Sequence, residues 1–407
     1  MPLISKSGDE NLKFDIAAPS DWTFTAGDTI IGNVVRYAPI IAPDAKLSLA
    51  LVGRSRIHPE LGGDYAHTCF LIYQELKGLF RGPLHHQEGS DTPLDWPFSI
   101  QIPNKPDKAL IREHSKHTSV LPLNDLSHPG HHTFPGSFYS SHKHLGEHNE
   151  GIIEYYLRAR LQYIFGGDIK SKDATWPIIM RHPTDKTVDL DTLRQISALR
   201  YIQSWNLTPT NEILSLRERS KKRLGILETP VFSFRIKVVY PEVVQLDSSR
   251  VMSATLEILP EKGTGGHHTR VLPTVEVNSI GMVLRSHCSI PKRMRSTVFS
   301  VPKDLINERR HDLGLDRMFT SSPITLLASE NRYNALHFGE LFELSLLSNG
   351  LVAGGTLLSQ SKTPIQPDFV SYDIKHFNMV QWKISLTIAG EYHEVQGSGP
   401  MKLIAPA

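Results

Sequence analysis

The clearest signal in this chain is strict alternation of apolar and polar residues. In the stretch IIEYYLRARLQYI, Ile153, Tyr155, Leu157, Ala159, Leu161 and Tyr163 fall on one face. Glu154, Tyr156, Arg158, Arg160 and Gln162 fall on the other. A period of two predicts a strand with one face in a core and one in water. Ahead of it, Phe134-Pro135-Gly136 breaks the chain, and a polar loop intervenes. Shorter stretches with strand character run through the first half: Leu12–Ile16, Thr29–Arg36, Lys46–Ile57, His67–Leu79, Trp96–Pro103 and Thr175–Arg181. Gly32 interrupts the second of these, which predicts a bulge or a close approach of backbone. Prolines frame Trp96–Pro103, where a strand end tolerates them.

Alternation resumes in the second half. Phe232, Phe234, Ile236, Val238 and Tyr240 alternate with Ser233, Arg235 and Lys237, and Pro241 ends the run. Met252–Leu259, Val271–Val277, Ile280–Ser286, Leu341–Leu347, Asp373–Phe377, Val380–Ile388 and Met401–Ile404 continue the β pattern. Two stretches read differently. Leu190, Leu193, Ile196, Leu199, Ile202 and Trp205 recur about every three residues, which predicts an amphipathic helix over Asp189–Trp205. Asp189 or Asp191 would cap it, and Pro209 would stop it. Pro302–Gly314 reads as a short surface helix.

Strands of this length and spacing, with no large helices between them, predict two consecutive antiparallel β-sandwiches. A chain of 407 residues also exceeds what one hydrophobic core usually holds. The expected division is a first sandwich over 1–185 with a polar, His-rich insertion at 104–150. A helical and basic linker follows over 186–226, and a second sandwich over 227–407.

Composition narrows the function classes. Hydrophobic residues are 40%, charged residues 21%, and net charge is +2. No global field demands nucleic acid or membrane as partner. No segment approaches the run of about 20 apolar residues of a membrane-spanning helix. The first residues, MPLISKSGDENLKF, lack the apolar run of a signal peptide. Cys69 and Cys288 lie far apart, and reduced thiols are expected over a disulfide between them. The expected location is the cytoplasm, with recruitment to the plasma membrane or endosomes through a binding partner.

Three elements, in order, carry a resemblance: FTAGDTIIGNVV, then DWPFSIQIP, then FPGSFYSS followed by EGIIEYYLRARL. The second half adds FSFRIKVVYPEVVQLDSSRVMSATLEILP and the closing stretch from Asp368 to Ile404. Together they resemble the arrestin-like (α-arrestin) proteins of fungi, over both halves but outside the linker and the insertion. The resemblance implies two arrestin-type, immunoglobulin-like sandwiches. It also implies a non-enzymatic adaptor that binds cytosolic tails of membrane transporters or receptors and recruits a ubiquitin ligase, leading to endocytosis. Family members dock the ligase's WW domains through Pro-Pro-x-Tyr motifs. This sequence has no Pro-Pro dipeptide, so that route to a ligase is missing.

Candidate chemistry is sparse. His114, His117, His128, His131, His132, His142, His144 and His148 cluster in one region, with His-x-x-His spacings seen in metal sites. No cysteine joins them, and a solvated His-rich loop is the simpler account. A pH-responsive loop is a middle reading. Neither a metal nor any other cofactor is expected. Arg217, Arg219, Lys221, Lys222 and Arg223 offer a basic segment for anionic lipid headgroups or an acidic partner, set against a plain solvated linker. Lys292, Arg293 and Arg295 form a smaller group of the same kind. Neither is dense or aromatic-interleaved enough to predict nucleic-acid binding. No Gly-x-Ser-x-Gly elbow, P-loop or dinucleotide fingerprint occurs. The alternative from another class is an enzyme or small-molecule binder built on the same scaffold, to be recognised by a deep pocket with convergent polar groups.

Overall fold

The computed structural model describes the chain from Ile4 to Pro406 except residues 20–21, 61–67, 114–118, 122, 124–131, 145–146, 185–187, 208–219, 221–228, 262–271, 291–304, 321 and 330–331. The protein is all-β, built mainly from antiparallel sheets, with only short helices among the described residues. It divides into two compact units. The first comprises Met1–Thr184, His287–Glu308 and Phe369–His376. The second comprises Asp185–Ser286, Arg309–Asp368 and Phe377–Ala407.

In the first unit, the strand Ile40–Glu60 pairs along one edge with Thr68–His86 and along the other with Glu147–Phe165. The sheet continues from Glu147–Phe165 to Asp168–Met180 and then to the short Thr23–Phe24. A second sheet orders Lys13–Ile16, Thr29–Arg36 and Leu94–Gln101. Their apolar faces share one core that includes Phe14, Val34, Phe98, Leu49, Leu157 and Leu161. Gly32 keeps the ladder in register, and a Cβ there would sit 2.4 Å from the Asp15 carbonyl oxygen. It marks close approach, not a bulge.

The Phe134-Pro135-Gly136 break is a packing hub. Tyr155 Oη donates to the Pro135 carbonyl at 2.8 Å, and burial pushes that phenol's pKa well up. Ser137 N donates to the Met180 carbonyl at 2.8 Å, and Met180 N donates back to Ser137 Oγ at 2.9 Å. The alternating face expected to meet water does so only in part. Glu154 is fully buried and Tyr156 is buried. Ile4, Leu71, Ala50, Val52 and Tyr156 form a small cluster on that face. Arg54 and Arg56 each bring Nε to 2.7 Å from Glu154 Oε1, so the carboxylate enters the interior only with its counter-charges.

The 104–150 insertion is also less solvated than its composition implied. It contains a helix, Lys108–Glu113, and buries Ile111 and Leu121. Phe138–His144 pairs with the start of Glu147–Phe165. The segment 369–376 folds as a tight hairpin whose Tyr372 and Ile374 join the first core. Ser55 Oγ donates to Asp373 Oδ2 there, at 2.7 Å.

In the second unit, Leu193–Gln203, Val231–Pro241 and Thr255–Pro260 form one sheet. Another is built on the parts of Val275–Ile290 and Lys375–Ile388 that belong to this unit, up to Ser286 and from Phe377, with Glu391–Pro400 paired to the latter strand. Trp382 anchors the core, with Phe338 edge-on at 5.6 Å and Tyr240 tilted at 6.1 Å. The predicted amphipathic helix is absent: Leu193–Gln203 is a strand paired along its length with Val231–Pro241. A spacing of three alternates faces when read along a strand. Ile196 and Ile202 point inward, while Leu193 and Leu199 are left exposed. The ladder satisfies every backbone group on the paired edge, and that outweighs local periodicity. The surface helix expected at Pro302–Gly314 is likewise a strand, Leu305–Asp312, which buries Asn307 and His311.

A polar chain runs through this second core. Ser286 Oγ donates to Asn378 Oδ1 at 2.6 Å, and Asn378 Nδ2 donates to Asp368 Oδ1 at 2.6 Å. Leu403 N donates to the same carboxylate oxygen at 3.1 Å. Burial raises the Asp368 pKa from its ordinary 3.8 to about 6, against the opposing pull of these hydrogen bonds. The folded state therefore holds this proton more tightly than the unfolded chain. The stabilisation is full below about pH 4 and is lost as pH rises through 6, a change of up to ~3 kcal/mol. Urea midpoints at both ends of this range should show that component in the wild type and not in Asp368→Asn. An identical pH slope in the two proteins would remove Asp368 from the account.

Candidate functional site

The strand Val231–Pro241 ends at its proline, which cannot extend the ladder. The chain resumes at once as Val243–Gln245, which pairs in parallel with Lys402–Ile404. Lys402 N donates to the Glu242 carbonyl at 2.9 Å, and Leu246 N donates to the Ile404 carbonyl at 3.0 Å. Parallel pairing uses alternate residues, so Glu242, Val244 and Leu246 serve the Lys402–Ile404 side. The peptide groups of Val243 and Gln245 are then directed the other way, and Val243–Gln245 has no second strand neighbour among the described residues.

That one-sided strand forms a wall of a groove of about 270 Å³ within the second unit. The groove is also lined by Leu190, Asp191, Leu193 and Pro241, and by the return segment Ser248 to Ser253. Asp247 turns the chain between the two walls in the left-handed region, at φ 55°, and its Oδ1 accepts from Ser348 N at 2.8 Å. Val243, Val244 and Met252 are buried, whereas Leu193 and Val251 stand exposed at the rim. Arg250 Nη2 and Asp191 Oδ1 form an ion pair at the same rim. Next to it, Arg194 pairs with Glu242, and Glu242 N donates to the Thr192 carbonyl at 2.9 Å. Apolar floor, charged rim and an unused strand edge suit the binding of an extended segment. The lining offers hydroxyls at Ser248 and Ser253, an amide at Gln245 and one paired carboxylate, a set that hydrogen-bonds a ligand.

The sites expected from the sequence fare differently. Arg217, Arg219, Lys221, Lys222 and Arg223 lie outside the described residues, as do Lys292, Arg293 and Arg295. So do His114, His117, His128 and His131, while His132 is half-buried. His142, His144 and His148 sit on the hairpin of Phe138–His144 with Glu147–Phe165. Among the described residues, no three His, Cys, Asp or Glu side chains gather as a metal site. No described helix is long and apolar enough to cross a membrane. An end strand of the large sheet in the first unit is Thr68–His86. Its pairing with Ile40–Glu60 shifts register at three places. Bulges twist an edge away from added strands. Sequence reasoning missed the Val243–Gln245 groove, although Tyr-Pro-Glu-Val-Val-Gln, a proline followed one residue later by two β-branched residues, was the available signal.

Rim and floor differ in what they contribute to the fold. The Arg250–Asp191 pair is exposed, so Arg250→Ala should change stability by less than about 1 kcal/mol. Met252 is 4% exposed, so Met252→Ala should cost about 2–5 kcal/mol. Paired thermal and urea melts check both values. A large loss in Arg250→Ala would make the rim structural.

No protein-family model matches this chain, and no curated protein matches it either.

Proposed function

We propose that this chain is a non-enzymatic adaptor of arrestin type, which binds cytosolic tails of membrane transporters or receptors and links them to ubiquitination, endocytosis and trafficking. The order of the sequence elements over both halves supports the reading, and the all-β, two-unit architecture agrees with it. The observation that carries the recognition step is the one-sided strand Val243–Gln245 along an apolar groove. A tail in extended conformation adds there as a strand. Its peptide groups pair with those of Val243 and Gln245, and alternate side chains enter the floor over Val244 and Met252. Arg250 at the rim fixes register by meeting a carboxylate of the tail. In this reading the protein works in the cytoplasm and is recruited to the plasma membrane or endosomes by what it binds. Without a Pro-Pro-x-Tyr motif, a ubiquitin ligase is reached through another surface or through a second adaptor. The groove's volume also favours a second reading, a small-molecule binder, since it approaches the lower end of the roughly 300–1,000 Å³ typical of such pockets.

An array of cytosolic-tail peptides from membrane proteins, probed with purified protein, tests the proposal. Val243→Pro removes an N–H that does not serve the Lys402–Ile404 ladder, and Val251→Asp replaces an apolar side chain at the rim by a charge. A subset of tails should bind, and each variant should weaken those about tenfold or more; Val251→Asp, at an exposed position, should melt like wild type, whereas Val243→Pro also loses a buried side chain. Absence of tail binding, or equal binding by both variants, would overturn the reading. Displacement of bound tails by a small metabolite would favour the second one.

A further inference from the structure

The hairpin joining Glu147–Phe165 to Asp168–Met180 ends in an apolar wedge. Gly166 and Gly167 make the turn with φ of 63° and 88°, the left-handed pair that a two-residue hairpin turn needs. Phe165 pairs with Asp168, and Ile164 pairs with Ile169. Successive residues of a strand face opposite sides, so Phe165 projects from one face of the hairpin and Ile164 with Ile169 from the other. All three are exposed, Phe165 at 53% and Ile169 at 77%. A β-hairpin end in water normally carries polar residues, and each face of this one carries exposed apolar surface, with Asp168 beside Phe165.

The stem below the wedge is basic. Lys170 Nζ lies 4.3 Å from the centre of the Phe165 ring, and Lys172 follows two residues on. Lys46 pairs in register with Gln162 on the neighbouring strand. The acids nearby include Asp168 at the turn, Asp44 next to Ala45, which pairs with Tyr163, Asp9 close in charge to Lys172, and Asp173. Asp173 is taken up by Arg160 at 2.7 Å and Arg158 at 3.5 Å. An aromatic tip with lysines two and four ladder pairs behind it matches the order of a bilayer interface: acyl chains first, then anionic headgroups. A protein partner would call for a flat or concave apolar surface, whereas this one is convex and narrow.

We infer that the Phe165–Ile169 hairpin tip inserts into the interface of an anionic phospholipid bilayer, with Lys170 and Lys172 at headgroup level. This contact stands apart from tail recognition in the second unit and does not depend on it.

Vesicle co-sedimentation of the full chain tests the inference, with phosphatidylcholine alone and with phosphatidylserine added. Wild type should bind the phosphatidylserine vesicles. Phe165→Ser with Ile169→Ser, and separately Lys170→Ala with Lys172→Ala, should each weaken that binding about tenfold. Phe165, Ile169 and Lys170 are exposed and Lys172 is half-buried, so the serine variant should keep the wild-type melting temperature, and Lys170→Ala alone serves as the basic variant if the double one melts lower. Phe165→Trp should add an emission component that shifts to the blue on vesicles. Wild-type binding to neither vesicle, binding unchanged in the serine variant, or equal affinity for both lipid compositions would overturn it. Self-association of wild type that the serine variant loses, without vesicle binding, would assign the tip to a second copy of the chain instead.

Discussion

Backbone pairing on both edges of the strand Ile40–Glu60 is the constraint from which the first unit follows. Every peptide group buried in a sheet needs a partner, and this long strand finds its partners in Thr68–His86 on one side and Glu147–Phe165 on the other. Once Glu147–Phe165 is held there, its length decides what projects beyond the core. Residues up to Leu161 are packed, and the last ones run out into solvent as the Ile164–Ile169 tip. The same pairing brings Glu154 opposite Arg54, so a carboxylate can be buried on a face that composition alone would assign to water.

The second unit follows the same rule and departs from it at one place. Pro241 stops a well-paired strand, and the chain makes a fresh start on the parallel partner Lys402–Ile404. A three-residue strand paired on one side leaves peptide groups in search of partners, and the walls around it are apolar. Elsewhere this unit uses polar groups sparingly: the Ser286, Asn378 and Asp368 chain links one sheet strand to Leu403, in the groove's own backing strand. Groove and polar chain are two consequences of how the residues after Asp368 return through the fold.

Much of this architecture was legible in the sequence. Alternation placed Glu147–Phe165, Val231–Pro241 and Lys375–Ile388 in the right class because each buries a face, and burial writes a period of two. Leu193–Gln203 was misread because its outward Leu193 and Leu199, with inward Ile196 and Ile202, imitate a helical spacing when one face of a strand remains apolar in water. The candidate site was not legible. Its walls come from Leu190–Leu193, Pro241–Gln245 and Ser248–Ser253, and its backing strand from Lys402–Ile404, so only pairing reveals it. The hairpin tip was legible in part: Ile-Phe-Gly-Gly-Asp-Ile spells a tight turn, but its exposure depends on where the core ends.

Amide hydrogen exchange along 242–246, read residue by residue with and without a captured tail peptide, tests the central claim most directly. The account predicts slow exchange at Val244 and Leu246, fast exchange at Val243 and Gln245 in the free protein, and slowing at Val243 and Gln245 alone when the tail binds. Uniform protection across Val243, Val244 and Gln245 in the free protein, or no change on binding, would contradict it.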